Sequence, residues 1–198
     1  MGEIKSAAEI AKEKLAAIGE PTEEERLKWK YGPEGEKLAA RYLREDVNLS
    51  TEIAAVDEKG RPVVMAGVNG ILLRNISLPR NEADRKTTKK AMDGLKDFKK
   101  DKVAVENVFS KMRHVLDHYV KEGKDQRKQA YEQLQDDFEQ KLQEAIRAQT
   151  GASNAARMKI DVEKQPQFQE EWQRLQAQLE AQYLNLLDEY KQELATLK

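Results

Sequence analysis

His114 and His118 stand four residues apart, a spacing that puts two imidazoles on one face of a helix, where they could share a zinc ion. Asp117 lies beside them. Val115, however, holds the place where a metalloprotease helix carries its general-base glutamate, and no third ligand is marked. Both histidines fall one or two positions off an apolar seam, as surface or flanking histidines do, so no metal site and no cofactor is expected. Carboxylates abound, but a working acid or base needs burial or a partner that shifts its pKa. Glu23-Glu24-Glu25, Asp136-Asp137 and Glu170-Glu171 sit instead among Lys, Arg and Gln on polar faces. Gly67-Val68-Asn69-Gly70 lacks the spacing and the Lys-Ser/Thr ending of a phosphate-binding loop. No serine occupies a nucleophile elbow, and the chain has no cysteine. The residues therefore predict no catalytic group and no small-molecule substrate.

A second candidate is electrostatic. Arg85, Lys86, Lys89, Lys90, Lys96, Lys99, Lys100 and Lys102 make a locally basic stretch that could contact RNA, DNA or another anionic surface. Asp84, Asp93, Asp97 and Asp101 dilute it, and its one aromatic, Phe98, belongs to an apolar stripe and offers no stacking platform. Over the whole chain 35 Lys and Arg face 36 Asp and Glu, for a formal net charge of -1, without the positive excess usual in a nucleic-acid binder. The competing reading of 85–102 is a solubilising helix face.

The elements that must carry these residues are constrained by composition: 36% charged and 6% aromatic residues with a mean hydropathy of -0.85 are too polar for a thick-cored globule. The apolar residues are nevertheless too periodic for disorder. Long helices with a narrow buried stripe satisfy both facts. No apolar run approaches the roughly 20 residues that span a bilayer, and the start lacks a signal-peptide core. Gly2 with Ser6 fits the bare myristoylation pattern and equally an ordinary helix start. With no cysteine, a cytoplasmic location and no membrane association are expected.

Ile4, Ala7, Ala8, Ala11, Leu15 and Ile18 predict a first helix, stopped by Gly19 and Pro21. Thr22 and Glu25 form a capping box for a second helix, which Gly32 and Pro33 are expected to interrupt. Pro33 then opens a helix carrying Leu38, Ala39, Tyr42 and Leu43, and Ser50 or Thr51 caps a short helix to Val56. Residues 63–76 admit two readings. Their apolar density and the Asn69-Gly70 pair suggest a β-hairpin; Val64, Val68, Ile71 and Leu72, with Pro62 in the first turn, suggest a buried helix. A lone hairpin would have no sheet to join, which favours the helix.

Ser77 to Asn81 breaks the chain, and Asn81 caps the next helix. Val105, Phe109, Met112, Leu116 and Tyr119, stepping by four and three, are a coiled-coil seam. It slips around Gly123 and Asp125, then resumes at Tyr131, Leu134, Phe138 and Leu142. Residues 152–165 are expected as a loop, with an extended piece at Met158 to Val162. Pro166 then opens a last helix whose stripe comprises Phe168, Trp172, Leu175, Leu179, Tyr183, Leu186, Tyr190, Leu194 and Leu197. The expected architecture is thus all-α: an N-terminal helical cluster over 1–80, then an antiparallel two-helix coiled-coil hairpin over 81–198, with helices at about 82–149 and 166–197.

Met1-Gly2-Glu3-Ile4-Lys5-Ser6-Ala7, the run Leu72-Leu73-Arg74-Asn75-Ile76 with Leu78-Pro79-Arg80, and the stretch from Gln165 to Trp172 resemble a family of uncharacterised bacterial helical proteins over most of the chain. The resemblance implies a bacterial, cytoplasmic, helical protein and carries no activity to any residue. It also favours the helix at 63–76, where the relatives have fewer glycines. The function expected is a non-enzymatic protein-protein interaction or scaffold module, with a protein partner or a second copy. The alternative is a nucleic-acid- or ribosome-associated factor using 85–102.

Overall fold

The computed structural model describes residues 21–150 and 161–197. Among them the protein is all-helical, with one short 3-10 turn and no strand. No helix among the described residues is long and apolar enough to cross a membrane. The expected helix over Ile4 to Ile18, the Gly2 pattern and the piece at Met158 to Ile160 lie outside the described residues. Two compact units form, one from residues up to Asn75 with Asp93–Phe98, the other from Ile76–Met92 with Lys99 onward. The sequence pattern predicts one boundary between 80 and 81; the contacts divide the chain at 75/76 and share one helix between the units.

The first unit contains α1 (Glu23–Arg44), α2 (Leu49–Ala55) and α3 (Arg61–Arg74). Thr22 and Glu25 cap α1 reciprocally, the Thr22 hydroxyl accepting from the Glu25 N–H at 3.2 Å and the Glu25 carboxylate from the Thr22 N–H at 2.8 Å. The expected break at Gly32 and Pro33 does not occur, and α1 runs through both. A proline's ring presses on the N–H and Cβ of the residue before it, and Gly32, with no Cβ, removes part of that clash, though Pro33 still donates no bond to the Trp29 carbonyl. Asn48, not Ser50 or Thr51, caps α2, its side chain accepting from the Thr51 N–H at 2.9 Å. Starting the helix two residues earlier brings Leu49 as well as Ile53 into the core.

Residues 63–76 resolve as the helix. Pro62 sits in the first turn of α3, Val64, Val68 and Leu72 are buried on one face, and Asn69-Gly70 lies mid-helix. A glycine within the segment, Gly67, sits where its packing on α1 is tight. A Cβ on Gly67 would lie 3.0 Å from the Gly32 carbonyl oxygen, and one on Gly35 only 2.3 Å from that of Val64. The α1 and α3 backbones therefore touch, an approach only glycine permits.

The second unit holds the start of α4 (Glu82–Phe98), then α5 (Lys102–Val120), α6 (Glu122–Thr150), the 3-10 turn Val162–Lys164 and α7 (Pro166–Thr196). Asn81 caps α4 as expected, accepting from the Asp84 N–H at 2.9 Å. Buried Thr88 is paired on both sides with the Ser77 backbone, at 3.2 Å each. The single helix expected over 82–149 is instead interrupted twice. At 99–101 the Asp101 carboxylate accepts from the Ala104 N–H at 2.9 Å and starts a new helix. At Lys121 the backbone leaves helical geometry (φ -88°, ψ -86°), two residues before the Gly123 at which the seam was expected to slip.

Lys99 turns inward at the first interruption. Its ammonium is buried and donates to the carbonyls of Leu194 at 2.9 Å and Leu197 at 2.6 Å, satisfying the open end of α7. Burial holds its pKa below the ordinary lysine value. Lys99→Met keeps the stem and removes the donors. It is expected to cost about 1–2 kcal/mol and to speed amide exchange selectively in the last turn of α7. Urea denaturation with hydrogen exchange measures both.

Candidate functional site

Along α7 the fully buried side chains in its second half are Glu180, Leu187 and Leu194, seven residues apart, with partly buried Tyr183 and Tyr190 between them. The expected stripe had Leu186 here. Leu186 is 39% exposed, whereas Leu187 is 1% exposed, so the inward face moves by one residue past Leu179. A straight helix at 3.6 residues per turn drifts against a strict seven-residue repeat, and the stripe that begins at Phe168, Trp172 and Leu175 takes in Glu180 and Leu187, besides the expected Tyr183 and Leu194, to stay inside. The other arm of the expected seam is buried in full at Val105, Phe109, Met112, Leu116 and Tyr119, and in part at Leu134, Phe138 and Leu142. Val108 and Val115, not singled out from the sequence, are buried beside it.

Contacts between these helices step backward along one as they step forward along the other. Phe168 meets the rings of Phe138 (5.6 Å) and Tyr131 (5.5 Å), and Trp172 meets Tyr131 (5.0 Å). Tyr183 packs edge-on against Tyr119 at 5.3 Å, and Tyr190 lies under the Lys111 ammonium at 5.7 Å. Edge-to-face rings add directional energy to the area they bury.

Glu180 is the chemical centre of this packing and was missed in the sequence, where it looks like one more acidic residue on a polar face. It is 3% exposed. One carboxylate oxygen accepts from the Tyr119 hydroxyl at 2.6 Å and the other from the Arg80 guanidinium at 2.5 Å. Burial pushes its carboxyl up, but the hydrogen bonds from Arg80 and Tyr119 and the Arg80 charge outweigh it, leaving the pKa below the ordinary value. Burial, then the hydrogen bond to Glu180 and its charge, raise the Tyr119 phenol. The Arg127 guanidinium stands 4.0 Å from the centre of the Tyr119 ring, closing the cluster across the break at Lys121. A signal was present: Glu180, Leu187 and Leu194 share a seven-residue period. Each carboxylate oxygen thus accepts from an internal donor, tying α7 to α5 and to the segment before α4.

Beside this cluster α5, α6 and α7 frame a groove of about 410 Å³. Val115, Leu179, Leu186 and the Tyr183 ring supply its apolar surface; His114, His118, Gln126, Gln178 and Gln182 supply the polar rim. The two candidate metal ligands therefore lie at a groove edge. His118 Nδ1 is 2.9 Å from the Tyr183 hydroxyl, and no cluster of three or more His, Cys, Asp or Glu able to hold a metal occurs among the described residues.

Arg85, Lys86, Lys89 and Lys100 are exposed in the second unit, Lys90 is half-buried there, Lys96 belongs to the first unit, and Lys99 is buried. Lys99 thus leaves the set of candidate nucleic-acid contacts, because its ammonium is committed to the end of α7.

No curated protein and no solved structure matches the chain. Residues 50–196 match the model of a family of unknown function, DUF6657, spanning two of the three segments that carried the resemblance, and the chain belongs to that family.

Proposed function

We propose that α5 and α6 pair with α7 as an antiparallel coiled-coil hairpin that serves as a non-enzymatic, cytoplasmic protein-interaction module, with the groove as its binding surface. The reversed order of the contacts along α7 supports the hairpin. The observation that carries the function is the groove itself: lined by apolar side chains, open to solvent, and next to a carboxylate both of whose oxygens accept from internal donors. Apolar surface rimmed by polar groups marks sites where proteins dock. The nucleic-acid alternative draws less support, since its lysines are interleaved with aspartates and Lys99 is buried.

The test is site-specific cross-linking in cells. A photoreactive phenylalanine analogue replacing Gln182, on the groove rim, is expected to capture a polypeptide; the same analogue replacing Gln133, exposed on α6 outside the groove, is not. Adding Leu186→Asp should lower capture at least tenfold without moving the thermal melt, because Leu186 contributes little to the core. Equal capture from both positions would refute the assignment.

A further inference from the structure

Resting on that reading, we infer that the occupant of the groove is the same groove of a second copy of this chain. In a two-fold interface each surface meets itself, so it must be complementary to its own chemistry. Charged surfaces fail that requirement, because like charges face each other. This chain is 36% charged, yet among the described residues no Asp, Glu, Lys or Arg lines the groove, whose titratable side chains there are His114, His118 and Tyr183. Three of its rim residues, Gln126, Gln178 and Gln182, carry amides that donate and accept at once and so pair with their own copies.

The helix pattern points the same way. Leu179 and Leu186 stand seven residues apart, forming a second stripe alongside Glu180, Leu187 and Leu194. A helix with two adjacent seven-residue stripes is built to pack on two sides. One side of α7 is covered from within the chain; Leu179 and Leu186 border the open groove. In the two-fold complex α7 lies beside α7, the apolar lining of each groove, Leu179 and Leu186 included, packs against that of the other, and the glutamines close the rim.

Sedimentation of the full chain over a concentration series is expected to give twice the 22.7 kDa chain mass. Gln182→Glu, which sets like charges across the axis, should weaken association at least tenfold, and Gln182→Lys likewise. Mixing the two variants should restore it, while the thermal melts of each alone match the parent, since Gln182 is exposed. A chain monomeric at every concentration, whose Gln182 cross-linker captures a different polypeptide, would overturn the second-copy assignment and leave the interaction module standing. A monomer with no capture, or with capture only of a peptide from its own residues 1–20, would overturn both. A dimer indifferent to the Gln182 charge swap would overturn the placement of its interface here.

Discussion

Gly35→Ala is expected to destabilise the first unit by about 3 kcal/mol, whereas Gly70→Ala, on the facing helix, is expected to stabilise it by about 0.5–1 kcal/mol. The two glycines look alike in sequence, each inside a helix. They differ in what a methyl group would meet. At Gly35 the new Cβ would lie 2.3 Å from the Val64 carbonyl oxygen and 3.0 Å from two further backbone atoms of the same residue. No side-chain rotation can relieve that overlap, so α1 and α3 must separate, loosening the packing around Val64, Val68 and Leu38. At Gly70 nothing lies within 4 Å, so alanine only removes the entropy a helical glycine gives up. Gly67→Ala falls between, its Cβ 3.0 Å from the Gly32 oxygen. Urea denaturation by far-UV circular dichroism, with amide exchange of α1 and α3, measures all three. Shifts of the same sign at Gly35 and Gly70 would remove backbone contact as the reason for the glycines.

The helices were legible because their signals are local. The Thr22 capping box, Pro62 in a first turn, Asn81 as a cap and the Val105 to Tyr119 seam each rest on neighbours within a turn or two, and each is found where expected. What escaped depends on groups distant in sequence. Pro33 looked like a breaker because proline usually is; that Gly32 lacks the Cβ its ring would press on was local, but the close packing of α1 on α3 was not. Lys99 reads as one more cation in a basic stretch until the carbonyls of Leu194 and Leu197 are brought to it. The choice of Leu187 over Leu186 likewise rests on a drift accumulated over several turns and on partners that stabilise Glu180 inside. The groove was not legible: only the fold gathers Gln126, Gln178 and Gln182 beside His114 and His118.

Glu180→Ala is expected to cost the second unit about 3 kcal/mol. Most of that loss falls on Tyr119, whose buried hydroxyl would be left without an acceptor; the Arg80 side chain is 58% exposed and can return to water. Combining Glu180→Leu with Tyr119→Phe removes both buried polar groups together, and this pair should be markedly more stable than Glu180→Ala alone, because neither is then stranded. The cluster also sets a pH profile. The Glu180 carboxyl is depressed in the folded chain, so its contribution is present above the unfolded glutamate value of about 4.3 and is lost as pH falls through the folded value. The Tyr119 phenol is raised, so its contribution is present below the unfolded tyrosine value of about 10 and is lost as pH rises through the folded one. Stability of the second unit should therefore fall at both ends, and Glu180→Gln should flatten the acid limb while lowering the plateau, since an amide accepts from Tyr119 but carries no charge for Arg80. Thermal melts across the acid range, read through Trp172 fluorescence in a Trp29→Phe background, separate this from the other carboxylates: an acid limb as steep in Glu180→Gln as in the parent would place the proton-linked stability elsewhere and leave Glu180 as a neutral hydrogen-bonding group.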